Sequence, residues 1–133
     1  MPLLTDKKTT KKLENRLLEF IEYGMTIYYL YEEKRTNIKD LEDIFFSKDD
    51  EKSSFLYSKI MKHIKPSDLK KALERYSINN KKEDNQEELK YKKELNIVYT
   101  EKIINILVDN KNEIIDKTYI NTYNYLLANL KNK

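Results

Sequence analysis

The chain has no cysteine and no tryptophan, one glycine, two prolines and one histidine in 133 residues. Each scarcity removes a class of chemistry. Without cysteine there is no disulfide, no thiolate metal site and no thiol nucleophile, which fits a reducing compartment. A single glycine leaves no glycine-rich loop to cradle phosphates, because the P-loop and the dinucleotide fingerprint both need several. His63 stands alone in IMKHIK, at the edge of an apolar stripe. A histidine metal site would need carboxylate partners that the spacing does not supply, so His63 reads as a structural residue. No serine lies in a nucleophile-elbow context. Carboxylates are plentiful, but most fall beside lysines on polar faces, where solvated charge explains them without acid–base work. No apolar run approaches the ~18 residues of a membrane span; the longest is IYYLY at 27–31. MPLLTDKKTTKK at the start has no signal-peptide pattern. The expectation is a non-enzymatic, soluble, cytoplasmic protein with no metal, no cofactor and no membrane partner.

What is abundant is lysine (23 residues), isoleucine (14), asparagine (13) and tyrosine (11). All four have A/T-rich codons, so an AT-rich genome accounts for much of their number. Lysine outnumbers arginine 23 to 3, and the net charge is only +3. Acidic stretches interrupt the basic ones, so the chain lacks the single-sign field of a dedicated DNA-binding protein.

Apolar periodicity reads as helix almost throughout. From Thr10 to about Lys34, Leu13, Leu17, Phe20, Gly24, Ile27 and Tyr31 recur at spacings of 4, 3, 4, 3 and 4, which predicts one long amphipathic helix. Glycine inside a helix costs about 1 kcal/mol relative to alanine, so Gly24 on that face suggests a tight helix crossing. A second helix follows Thr36-Asn37. SKDDEKSS (47–54) is expected as a polar loop, with Ser53 or Ser54 capping a third helix that Pro66 ends. Ser67 is expected to cap a fourth, with Leu69, Ala72, Leu73 and Tyr76 inward. The stretch around ELNIVYT is one helix, a helix broken near Asn96, or a short strand without a partner. A last helix runs from about Asn112 to Leu130. These elements predict an all-α, single-domain compact bundle of about five to seven helices. A polar N-terminal tail (1–9) and a mobile loop (79–88) complete the expected organisation.

Two sets of surface residues are candidates for binding. On the helical wheel Tyr28 and Tyr31 point inward while Tyr23 and Tyr29 fall toward the flank, and Tyr125 faces away from the last apolar stripe. Tyr23, Tyr29 and Tyr125 are therefore the candidate partner anchors, since tyrosine is enriched at binding hot spots. The lysine clusters are Lys7, Lys8, Lys11 and Lys12; Lys62, Lys65, Lys70 and Lys71; and Lys90, Lys92 and Lys93. They suit phosphate contacts, with tyrosines available to stack on single-stranded bases. Three arginines are few for reading base edges, so any nucleic-acid binding would track the backbone without sequence preference. KPSDLKKALERYSINN (65–80) resembles half of a helix-turn-helix, but NNKKEDNQEE follows where a second helix should. An ordinary amphipathic helix is the better account.

The segment YGMTIYYLYEEK (23–34) is similar to the glycine-bearing helix of the small all-α subunit of type III-B CRISPR effector complexes. An aromatic and a lysine follow the glycine at comparable distances, with Gly24, Met25, Tyr31 and Lys34 in the matching positions. The motif's asparagine is Tyr23 here, and the family's tryptophan near the C-terminus is absent. The resemblance spans about a dozen residues and implies a small helical subunit of a ribonucleoprotein.

Two functional expectations follow. The first is a non-catalytic protein-interaction module: an adaptor, an assembly subunit, or an inhibitor from a phage or other mobile element. The alternative is a small helical subunit that binds the backbone of RNA or single-stranded DNA in a ribonucleoprotein. Self-association about a two-fold axis is compatible with either.

Overall fold

A computed structural model describes residues 7–76, 85–110 and 117–132. Among these the chain forms seven helices and no strand: α1 (Lys7–Ile21), α2 (Gly24–Glu32), α3 (Ile38–Phe46), α4 (Asp50–His63), α5 (Pro66–Tyr76), α6 (Asn85–Asp109) and α7 (Lys117–Lys131). The all-α bundle predicted from periodicity is what is seen. Of the expected tail, residues 1–6 lie outside the described residues, and Lys7–Thr9 open α1. Of the expected loop, 79–84 lie outside them, and 85–88 form the first turn of α6. The expected start of the last helix, 112–116, lies outside them as well.

The apolar stripes close around one core. Leu13, Leu17 and Phe20 from α1 meet Ile27 and Leu30 from α2, Leu41 and Phe45 from α3, Ile103, Ile104 and Leu107 from α6, and Tyr123 and Leu127 from α7, all 2% exposed or less. Helix α2 packs chiefly on α6 and α5, α3 on α4, and α1 on α7 and α6. Phe45 stands edge-on to Phe20 at 4.6 Å and to Tyr123 at 5.4 Å between ring centres. The buried Tyr123 hydroxyl donates to the Phe45 carbonyl at 2.7 Å, satisfying a polar atom that would otherwise be costly to bury. Burial pushes that phenol's pKa well above its ordinary value.

Three local expectations are corrected, and one left open is decided. The long first helix is two, because Tyr23 leaves helical geometry at φ −128°, ψ 19°. The third helix begins at Asp50, within the segment expected as loop. Asp49 caps it by accepting from the backbone N–H groups of Glu51 and Lys52. Ser53 is instead buried on that helix and donates its hydroxyl to the Ile44 carbonyl. Helix α5 starts at Pro66, ahead of Ser67. Proline suits that first helical position because its missing N–H would be unsatisfied anyway, and Asp68 reaches back to accept from the Lys65 N–H at 2.9 Å. ELNIVYT lies within α6, which runs unbroken through Asn96.

Helix α2 ends with the Lys34 N–H donating to the Tyr31 carbonyl and the Arg35 N–H to the Leu30 carbonyl. This is a Schellman turn, with Lys34 in the left-handed region at φ 60°. Glycine usually occupies that position; here a lysine bears the strain.

Candidate docking groove

Asn96 joins three elements. Its side-chain oxygen accepts from the Met25 N–H at 3.0 Å and its amide nitrogen donates to the Glu22 carbonyl at 3.1 Å. In a continuous helix both groups would find partners one turn away along the chain. Asn96 supplies them from α6, so it closes the end of α1 and opens α2 at once. Tyr23 gives no side-chain cap. The same joint requires Gly24, since a methyl group there would overlap the Asn96 carbonyl and the Thr100 hydroxyl. The tight crossing expected at Gly24 is therefore seen, against α6.

Beside this joint the packing opens. A groove of about 410 Å³ lies between the end of α1, the start of α2, α5 and α6, lined by Glu22, Met25, Thr26, Pro66, Leu69, Lys70, Leu73, Lys92 and Asn96. Met25 and Thr26 are buried at 5% and 2% exposure, so they form its floor. Pro66, Leu69 and Leu73 follow one another along one face of α5 at spacings of three and four. Leu69 remains 41% exposed, which corrects its expected inward position. Helix α5 buries Asp68 and Ala72 instead. Asp68, at 3% exposure, takes Arg35 Nη1 at 2.6 Å, and Arg35 Nη2 donates to the His63 carbonyl at 3.0 Å. The hydrogen bond from Arg35 holds the Asp68 carboxyl below its ordinary pKa. This pair fixes the start of α5 over α2 and turns Leu69 outward.

Past the groove, α2, α5 and α6 share a cluster of rings. Tyr28, Tyr76 and Tyr99 lie with ring centres 4.5–5.6 Å apart. Burial, and then the nearby Glu32 charge, raise the Tyr28 pKa; burial, then Tyr28 and Glu32, raise that of Tyr99. The rings are packed on one another and are not splayed to receive a base. Tyr29 is buried at 4% exposure with the Arg75 guanidinium carbon 4.5 Å from its ring centre. The expectation of an accessible flank at Tyr29 is thus corrected: α5 covers that side of α2. Tyr23 is half-buried against the core, whereas Tyr125 is 45% exposed, on the side expected.

The lysine candidates divide. Lys11 pairs with Glu14 at 3.1 Å and Lys12 with Asp50 at 2.6 Å, while Lys7 and Lys8 are exposed at the start of α1. Lys62, Lys65, Lys70 and Lys71 are exposed around the α4–α5 corner, as are Lys90 and Lys93 on α6. The groove brings together one member of each of the last two clusters, Lys70 and Lys92. All three arginines make intramolecular pairs: Arg16 with Asp50, Arg35 with Asp68, and Arg75 with Glu32 and Glu33.

A second, smaller cavity of about 170 Å³ lies between α1 and α4. Its charges answer one another: Lys12 and Arg16 both hold Asp50, which lowers that carboxyl's pKa, first through the Lys12 hydrogen bond. At its edge the Tyr57 phenol is pushed up to about 12 by burial and the nearby Glu19 and Glu22 charges. Among the described residues no three His, Cys, Asp or Glu side chains group as metal ligands, and no helix is long and apolar enough to cross a membrane.

The chain matches no protein-family model, and no curated protein or solved structure matches it either. Glu22, Met25, Leu69, Leu73 and Asn96 were not candidates from sequence. Three of them read as core or helix interior, and the break considered near Asn96 was the one local sign of a special position.

Proposed function

We propose that the chain is a non-catalytic protein-interaction module that receives a partner segment in the groove between α2, α5 and α6. The reading rests on one observation: an apolar floor of Met25 with Leu69 and Leu73 above it, left open while Leu69 is 41% exposed. Covering Leu69 on binding would recover about 1 kcal/mol.

The meeting of Lys70 and Lys92 also supports the second reading, an RNA-contacting subunit. The apolar floor, the mutually packed tyrosines and the arginines held in internal pairs favour protein over RNA. A photo-crosslinking residue at position 69, expressed in native host cells, tests this. A protein adduct of defined mass at 69, absent with the same crosslinker at the exposed Phe55 of α4, is the expected result. A nucleic-acid adduct at 69 would transfer the groove to the second reading.

A further inference from the structure

Helix α5 is attached differently from the other six. Each of those buries at least two large apolar side chains in the core, whereas the buried residues of α5 are Ala72 and Asp68. Its anchors to α2 and the turn that follows are polar and lie at the water's edge. Exposed Arg35 holds Asp68 at 2.6 Å, and exposed Arg75 approaches Glu32 at 3.9 Å and Glu33 at 3.6 Å. Exposed pairs of the second kind contribute little. At the far end Tyr76 packs on Tyr28 and Tyr99, yet its buried hydroxyl has no hydrogen-bond partner. A polar atom left in that state opposes burial. Beneath α5 lie Tyr29, with Arg75 over its ring, and the groove floor of Met25 and Thr26.

We propose, resting on the docking reading above, that α5 is a cover over α2. It lifts as a unit while the rest of the bundle stays folded, and so admits the partner segment to Met25 and Tyr29. Closed, the groove of about 410 Å³ accepts a few apolar side chains and not a whole helix. With α5 lifted, Met25 and Tyr29, one turn apart on α2, become one continuous face. Segments with little apolar burial open at lower free energy than the core around them. The partner's apparent affinity then carries the cost of opening, since a site open for a fraction of the time binds more weakly in that proportion. Weakening the Arg35–Asp68 pair makes the site easier to enter.

The test has two readouts on the full chain. In native-state hydrogen exchange, the interior amides of α5 should exchange at least about tenfold faster than those of α1 and α7. Tyr123→Phe, which removes the hydrogen bond from α7 to α3, should speed exchange in α1 and α7 and leave α5 unchanged, because α5 opens with that bond intact. Asp68→Asn should speed α5 by about thirtyfold with α1 and α7 still protected. Equal acceleration of all three helices by Tyr123→Phe overturns the inference, since α5 would then open only with the whole molecule. The second readout is p-azidophenylalanine at position 29, photolysed in native host cells. Asp68→Asn should raise the protein adduct there severalfold above that of the chain with Asp68 intact. A protein adduct at 69 without any gain at 29 overturns the cover and leaves docking intact. No protein adduct at either position overturns the docking reading and the role given to α5 within it. The exchange pattern needs no partner, so it separates the two failures.

Discussion

At Asn96 and Thr100, α6 meets α2 so closely that a methyl group on Gly24 has no room, whereas one turn earlier, at Lys92, the same helix borders an open groove. Met25 and Asn96 belong to both places. The closed side leaves no gap between backbones and binds Asn96 to the Glu22 and Met25 backbone. On the open side the nearest large apolar side chain, Leu69, stays 41% exposed. Adjacent surfaces of one helix pair thus serve different ends: close approach fixes the angle between helices, and the space beyond it is left for something else. Substitutions on the closed side should cost stability, and those on the open side should cost binding.

Gly24→Val should have the largest effect, because its side chain must displace the α6 backbone at Asn96. A loss of about 3 kcal/mol or more in urea unfolding is expected, and Gly24→Ala should still destabilise despite alanine's better helix propensity. A stabilising Gly24→Ala would break the comparison, since the crossing would then have room to spare. Next is Asp68→Asn, expected to cost about 2–3 kcal/mol; a fully enclosed pair would cost ~3–5, but Arg35 still reaches water.

The same pair gives a pH dependence. The Asp68 carboxyl is depressed in the folded state, so its contribution is fully present above the unfolded value near about 4 and is lost as pH falls through the folded one. The urea midpoint of the unaltered chain should therefore fall more steeply below about pH 4 than that of Asp68→Asn. Parallel curves would show that Arg35 does not hold this carboxylate.

Asn96→Ala should cost about 1–2 kcal/mol by leaving the Met25 N–H without its acceptor. Lys34→Gly should gain about 0.5–1 kcal/mol by relieving a lysine at φ 60°. Leu69→Asp should change the unfolding midpoint least, by about 0.5 kcal/mol or less, while a crosslinker placed at the neighbouring Leu73 of the same groove should lose its protein adduct in that variant. A large loss of stability from Leu69→Asp would place that leucine in the core and remove the open side of the comparison.

The stripe from Leu13 to Tyr31 announced its apolar face correctly and misled about its continuity. Periodicity records which residues turn inward, and α1 and α2 turn the same side inward across the break. What interrupts them is Asn96, more than seventy residues away in sequence, and no local pattern carries that information. Gly24 was legible as a close crossing because glycine on an apolar face has few other uses. Leu69 was misplaced because propensity and spacing treat Asp68 as a solvated charge. Only the distant Arg35 makes it worthwhile to bury Asp68 and turn the leucine out. Tyr29 was misplaced for a related reason, since α5 crosses α2 on the side a single-helix wheel leaves bare. The sequence alone thus determined an all-helical chain, because apolar spacing, capping residues and scarce glycine and proline are properties of neighbouring residues. The joint at Asn96, the buried Asp68 and the groove between them were decided only by tertiary structure, because each depends on which helix lies against which.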